Sequence, residues 1–260
     1  MEKISGGSEL LGLLELAERV ARETGNFLAT RPDVFDLSEK TSAVDFATQM
    51  DIAAEKMIVQ AILSARPDDG IIGEEGSERI GTSGITWVID PIDGTVNYFY
   101  GIPGWNVSIA AKNADGVLVG AVFSPATDSF WSAALGHGAH FNGTKIVCND
   151  PVDLSMALLA TGFAYDRGDR VKQAELFASL LPRIRDFRRN GAAAVDLCYV
   201  AMGALDGYFE IGLKEWDLAA GGLIAQEAGA IVTGNPETGE IVIAAGPALH
   251  PILVREIRAI

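Results

Sequence analysis

Between residues 70 and 148 the apolar residues come in short runs: Gly70–Ile72, Ile85–Ile89, Asn106–Lys112, Val117–Phe123, Phe130–Ala134 and Thr144–Cys148. Gly, Pro and Asp cut them apart. Runs this short do not carry a helix, and several alternate apolar with polar residues, which is the period of a strand. Asn113-Ala114-Asp115-Gly116 is a turn signal that joins two of them as a hairpin. The segment predicts a mostly antiparallel sheet.

Its surroundings differ on the two sides. Upstream, Leu10, Leu13, Leu14, Ala17, Val20, Ala21 and Phe27 recur at three and four, which predicts a helix over Glu9–Phe27 with Ser8 as its cap. A second helix is expected from Thr48 to Ala65, with Ile52, Met57, Ile58 and Ile62 inward and Pro67 closing it. Downstream of Pro151 strands and helices alternate. The expected order is strand Ala157–Gly162, helix Arg170–Leu181, strand Asp186–Arg188, helix Ala192–Gly203, strand Gly207–Ile211, helix Asp217–Ala228, strands Ala230–Thr233 and Ile241–Ala245, and a last helix from Ala248. Alternation of this kind belongs to a layered α/β half. The chain therefore divides into an N-terminal half, 1–150, and a C-terminal half, 151–260, expected to form one compact unit.

Charge narrows the function. The 260 residues carry a formal net charge of −15, so the mean field repels nucleic acid. It repels a small phosphate ester as well, unless bound cations reverse the sign locally. Cys148 and Cys198 are the only cysteines, too few for a disulfide scaffold. Both are expected to be small buried residues in a reducing compartment. The N-terminal stretch MEKISGGSELLGLLELAERV interleaves acids with its leucines, unlike a secretion signal, and no run of about 20 apolar residues spans a membrane. The expected location is the cytoplasm.

The chemistry concentrates where the apolar strand Trp87-Val88-Ile89 runs into Asp90-Pro91-Ile92-Asp93-Gly94-Thr95. Pro91 offers no N–H, Gly94 permits a tight turn, and a helix starting at Gly94 or Thr95 would aim free amides at an anion. Alone, these residues describe an ordinary turn with a capping aspartate. Two further acidic segments change the balance. Gly73-Glu74-Glu75-Gly76 follows another short strand, and Glu215-Trp216-Asp217 precedes a small-residue helix start. Carboxylates arriving from three segments suit hard cations with oxygen ligands. By contrast, His137 and His140 sit in a turn-rich connection with no third ligand for zinc. No Gly-x-Ser-x-Gly elbow, P-loop or dinucleotide fingerprint occurs.

In this order and spacing, Gly73-Glu74-Glu75, Trp87–Asn97 (WVIDPIDGTVN) and Trp216–Gly221 (WDLAAG) resemble the inositol monophosphatase family of lithium-sensitive, magnesium-dependent phosphatases. Ala43–Asp51 (AVDFATQMD), Gly136–Ile146 and Arg188–Glu210 extend the resemblance over nearly the whole chain. The resemblance implies an α/β (α+β) fold, the layered α/β/α/β/α sandwich shared with fructose-1,6-bisphosphatase. It implies two to three Mg²⁺ ions held by Glu74, Asp90, the main-chain oxygen of Ile92, Asp93 and Asp217, with Asp90 bridging. Glu74, Thr95 and Asp51 would orient and deprotonate the attacking water.

Substrate contacts implied by the family are Asp93, Gly94, Thr95, the Ala193 amide, Glu210 and the mobile-loop Lys40. The implied reaction is hydrolysis of inositol 1-phosphate or a similar small phosphorylated metabolite. Histidinol phosphate, fructose 1,6-bisphosphate and phosphoadenosine phosphate are alternatives. A homodimer is implied, and so is a possible second role, since some bacterial members are partners of the transcription machinery. Departures from the family pattern are a short segment between Glu75 and Trp87, Ala47 in place of a bulkier residue, and Glu215, expected to add charge near the site.

Overall fold

The protein is described by a computed structural model covering residues 7–42 and 45–258. Residues 1–6 of the stretch read for a secretion signal, Ala43 and Val44 of the AVDFATQMD motif, and Ala259 and Ile260 lie outside the described residues. The first elements are helix α1 (Gly7–Leu28), a hairpin of β1 (Leu37–Ser42) and β2 (Asp45–Thr48), and helix α2 (Gln49–Ala65). Strands β3 (Gly70–Gly73), β4 (Glu78–Arg79) and β5 (Thr86–Asp93) follow, then the short helix α3 (Thr95–Tyr100). β6 (Asn106–Asn113), β7 (Gly116–Ser124), β8 (Ser129–Ala134), β9 (Gly138–Phe141) and β10 (Thr144–Ile146) complete an 8-stranded sheet ordered β10-β9-β8-β7-β6-β5-β3-β4. Within it only β3 and β5 pair in parallel.

The chain continues through β11 (Leu158–Thr161), α4 (Arg167–Leu180), β12 (Asp186–Arg188), α5 (Ala193–Ala201), β13 (Gly207–Glu210), α6 (Glu215–Glu227), β14 (Ile231–Thr233), β15 (Val242–Ala245) and α7 (His250–Arg258). Its 5-stranded sheet, ordered β12-β11-β13-β15-β14, is mixed, with β11 parallel to both neighbours.

The strand period builds the layers. Trp87 and Ile89 of β5, with Ile109 of β6 and Ala121 of β7, face α1 and α2, where Leu13, Val20, Ile58 and Ile62 meet them. The alternate residues Val88, Ala110 and Val122 face the other way, onto α5 and α6. Those helices touch the second sheet through Ala160, Tyr208, Val242 and Ala244, while its alternate residues Leu159, Phe209 and Ile243 meet Leu176, Leu180 and Leu253 of α4 and α7. A residue's place in the pleat thus assigns it to a layer. Stacked in order, the molecule reads helices, large sheet, helices, small sheet, helices, the expected α/β/α/β/α sandwich. Each fully buried aliphatic side chain contributes about 1.5–3 kcal/mol. The helices between the sheets see protein on both sides, which is why α5 and α6 are built from small apolar residues such as Ala194, Ala201, Ala219, Ala220 and Ala225.

Several local expectations are corrected. Ser8 lies inside α1 rather than capping it. Ile52 is 51% exposed and Phe27 is exposed, because both fall just off the buried stripe of their helix. α4 starts earlier than its periodicity suggests, at Arg167, where the Asp166 side chain accepts from the amides of Gly168 and Asp169. β1, β2, β4 and β9 carry too little apolar pattern to be seen as strands; His140 sits in β9, opposite Ser132 and Lys145. Cys198 is buried, but Cys148 only half so, and both are free.

Candidate active site

Two aspartates three residues apart on a regular strand point to opposite faces. In β5, Asp90 pairs with Ser108 and Asp93 with Asn106, so three steps on β5 match two on β6. This bulge absorbs Pro91, which has no N–H for the ladder, and lets Asp90 and Asp93 open on one cavity. The Asp90 carboxylate accepts from the Ile92 amide at 3.0 Å. Gly94 then takes the left-handed conformation, φ 87°, and starts α3.

Asp93 is held from three sides. Its Oδ2 accepts from the Ala194 amide at 2.8 Å and from Asn106 Nδ2 at 2.7 Å, and its Oδ1 accepts from the Ala193 amide at 3.1 Å. The first amides of α5, which favour an anion, are therefore satisfied by a carboxylate of the protein itself. In this arrangement the Ala193 N–H, expected to meet substrate, is engaged by Asp93.

Two more acids sit at equivalent places in their helices. Asp51 and Asp217 are each the third residue of a helix and accept from the N-cap amide, Thr48 N at 2.8 Å and Lys214 N at 2.6 Å. Such a contact fixes the carboxylate and the helix start together. The Thr48 hydroxyl also donates to Asp51, at 2.6 Å. The Thr95 hydroxyl has two acceptors in reach, Asp51 Oδ1 and the Ile92 carbonyl, each at 3.1 Å.

Glu74 follows β3, and its amide donates to the Ile89 carbonyl of β5 at 3.1 Å. The turn that carries it is held from below by Glu55 of α2, a buried carboxylate that accepts from the amides of Glu75 and Ser77 at 2.8 and 2.9 Å. Lys40 of β1 reaches across to pair with Glu74 at 2.8 Å and Glu75 at 2.6 Å. Burial works against the charge of Lys40, but the two glutamates outweigh it and hold its pKa above the usual value.

These groups line a cavity of about 530 Å³ whose wall includes Lys40, Glu74, Asp90, Ile92, Asp93, Gly94, Thr95, Ala193, Glu210 and Asp217. Of the residues expected to hold cation or substrate or to act on the water, all but Asp51, which lies behind Thr95, are in that wall. Glu215 departs from expectation: it pairs with Lys112 and lines a separate groove with Leu218 and Leu223. The cavity wall adds Asp45, Tyr165, Arg170, Arg189, Asp196 and Lys214, none of them singled out beforehand.

Crowding of acids shows in their titration. Asp90 is pushed up by burial and then by Glu74, Asp93 and Asp217. Asp217 is raised by burial, against the Lys214 amide and with Asp93 and Glu74 adding to it. Burial raises Asp93 to about 6 despite its three donors, and raises Asp51 against its bonds from Thr48. On the far side, burial takes Glu210 to about 7 and Asp196 to about 8.

Among the described residues no three acid, histidine or cysteine side chains are already gathered closely enough to form a cation cage. The acids instead share one cavity without such a cluster. Their chemistry nonetheless fits a divalent ion. Every donor is a hard oxygen, and a cation would remove the repulsion that raises Asp90, Asp93 and Asp217.

Glu55 and Asn106 are the positioning groups that sequence reading missed. Glu55 had a signal, four residues after Asp51 on one helical face. Asn106 had none, since its partner is set by the register of β5 on β6.

With the geometry in place, comparison with known proteins is informative. A model of the Inositol monophosphatase family matches residues 10–260. A protein of Mycobacterium tuberculosis H37Rv, Inositol-1-monophosphatase SuhB, is 42% identical over 261 residues, covering 91% of this chain and 90% of that one. The Nus factor SuhB of Salmonella typhimurium LT2 is 41% identical over 230 residues, covering 85% of this chain and 84% of its own. Among solved structures, an IMPase from Thermotoga maritima superposes with a TM-score of 0.86 at 30% identity, covering 95% of this chain and 96% of that one.

Proposed function

Since the chain belongs to the inositol monophosphatase family, we propose that it is a Mg²⁺-dependent phosphatase whose preferred substrate is inositol 1-phosphate or a close polyol phosphate. The observation that carries this reading is the single cavity shared by Glu74, Asp90, the Ile92 carbonyl, Asp93 and Asp217, with the Thr95–Asp51 pair at its edge. Those five residues would hold two to three Mg²⁺ ions. Bound there, Mg²⁺ supplies charge neutralisation of the phosphate and a lowered pKa for the attacking water.

The chain's own groups account for the rest. Thr95 Oγ1 accepts a hydrogen bond from the water and passes its own proton toward Asp51, whose buried carboxylate is raised and so is a better base than a free aspartate. Glu74 assists on the opposite side of the water. The water oxygen forms the new bond to phosphorus, the bond from phosphorus to the alcohol oxygen breaks, and the departing alkoxide takes up a proton. No phosphoenzyme forms. Lys40, paired with Glu74 and Glu75, is placed to turn toward the phosphate once a cation takes over Glu74. Glu210 faces the alcohol part, where a carboxylate accepts hydrogen bonds from ring hydroxyls.

The test is kcat/KM with Mg²⁺ for inositol 1-phosphate, histidinol phosphate, fructose 1,6-bisphosphate and phosphoadenosine phosphate. Inositol 1-phosphate is expected to lead. A hundredfold preference for another ester, about 2.7 kcal/mol in transition-state binding, overturns the substrate assignment. Li⁺ is expected to inhibit at millimolar concentration.

A second reading is motivated by the relative named a Nus factor: a surface role in transcription added to catalysis. Pull-down with an inactive Asp90→Asn variant separates the two, because binding that survives loss of turnover is independent of it. A cytoplasmic homodimer is part of the same proposal: the family supports the dimer, and two free cysteines suit a reducing compartment. Sedimentation at micromolar protein tests the dimer.

A further inference from the structure

Behind the wall of the main cavity lies a second, much smaller space of about 10 Å³, lined by Thr161, Gly162, Gln173, Leu176, Phe177 and Glu210, among others. That is about the room one water needs. The two spaces share Gly162, Phe163, Glu210 and Ile211, so these residues form the partition between them. Glu210 lies flat across Gly162, where a Cβ would overlap its carboxylate.

Gln173 of α4 is 6% exposed, and its orientation is fixed. Its Oε1 accepts from the Ala164 amide at 2.9 Å, so the amide cannot be turned round without facing N–H against N–H. Nε2 is left buried with no protein acceptor in reach. A buried donor left unmatched carries its full desolvation cost, which a well-packed interior rarely tolerates. Across the same small space stands Glu210, with its Oε2 receiving the Tyr208 hydroxyl at 2.6 Å.

We propose that one water in that space links Gln173 Nε2–H to the Glu210 carboxylate, making Gln173 a positioning residue for the group that faces the substrate's alcohol. The water accepts from Gln173 and donates to Glu210, which joins Tyr208 in fixing the carboxylate's plane. Through Ala164 the same side chain also ties α4 to the lip of the cavity. Gln173 thus acts on recognition of hydroxyls and not on the phosphate chemistry. The inference rests on the proposed role of Glu210.

Two variants separate the donor from the tether. Gln173→Leu removes both, whereas Gln173→Glu keeps an acceptor for the Ala164 amide and replaces the donor with an oxygen. Each is assayed with Mg²⁺ on inositol 1-phosphate and on p-nitrophenyl phosphate, which has no hydroxyls. The expected result in both variants is a KM for inositol 1-phosphate raised about tenfold with kcat nearly unchanged, and unaltered p-nitrophenyl phosphate hydrolysis. Wild-type behaviour of Gln173→Glu, or equal loss on both esters, overturns the proposal. Glu210→Gln is run in parallel. If it leaves inositol 1-phosphate untouched, the reading of Glu210 itself falls; if it impairs that ester while both Gln173 variants are silent, only the water link falls.

Discussion

The two ends of the cavity are built by different means. At the proposed cation end, three carboxylates are pinned by main-chain amides close to them in sequence or at a helix start: Asp51 by Thr48, Asp90 by Ile92 and Asp217 by Lys214. At the proposed alcohol end, Glu210 is held by the Tyr208 hydroxyl and Asp196 by the Asn190 carboxamide, both contacts between side chains. Main-chain anchors leave a carboxylate little choice of rotamer, whereas side-chain anchors can be exchanged without disturbing the fold. The first end is therefore expected to resist change and the second to set selectivity.

The largest break of that contrast is Asp90→Asn. It removes one carboxylate charge from the site's centre and is expected to lower kcat on the order of 10³-fold for every ester while the fold is kept. Circular dichroism and kcat with saturating Mg²⁺ check it. Activity within tenfold of wild type would mean that the cation end is elsewhere.

A smaller effect is expected at Glu55, which touches neither cation nor substrate. Glu55→Gln puts an amide N–H where one of two backbone amides now donates, so the turn bearing Glu74 shifts. The Mg²⁺ concentration for half-maximal activity should rise about 10- to 100-fold, with kcat at saturation largely recovered. An unchanged Mg²⁺ dependence would show the Glu55 bonds to be structural only.

The same contrast explains what could be read from the chain. The cation end was legible because its geometry is local: an apolar strand ending in Asp-Pro-x-Asp-Gly, and acids three residues past a cap. The layering was legible too, because a period of two through β5, β6 and β7 sends alternate residues to different layers. At the alcohol end Glu210 came only through the family resemblance, and Tyr165, Arg189, Asp196 and Gln173 were not legible, since they come from separate loops and helices that only the fold brings together. Glu215 shows the limit from the other side. It is two residues from Asp217 in sequence, but the turn of α6 sends it to Lys112 and away from the cavity.

At the alcohol end, Glu210→Gln is expected to keep Mg²⁺ dependence and p-nitrophenyl phosphate hydrolysis while raising KM for inositol 1-phosphate about tenfold, the worth of one charged hydrogen bond. A general loss of activity would instead join Glu210 to the cation end.

The smallest effect is on stability, and it separates the two ends by pH. Asp93, Glu210 and Asp196 are raised by burial to about 6, 7 and 8, whereas in the unfolded chain carboxyls titrate near 4. Between those limits the folded state binds more protons than the unfolded one, so stability falls as pH rises from about 5 to 8. Each kcal/mol lost lowers Tm by about 2–4 °C in a chain of this size. Mg²⁺ should cancel the part of this slope that comes from Asp93 and its neighbours and leave the part from Glu210 and Asp196, which are not among the proposed cation donors. Calorimetry at pH 5 to 8 with EDTA and with Mg²⁺ measures both parts. The Asp196→Asn variant should lose only its own share of the Mg²⁺-resistant part, and a slope that vanishes entirely on adding Mg²⁺ would place Glu210 and Asp196 with the cation end after all.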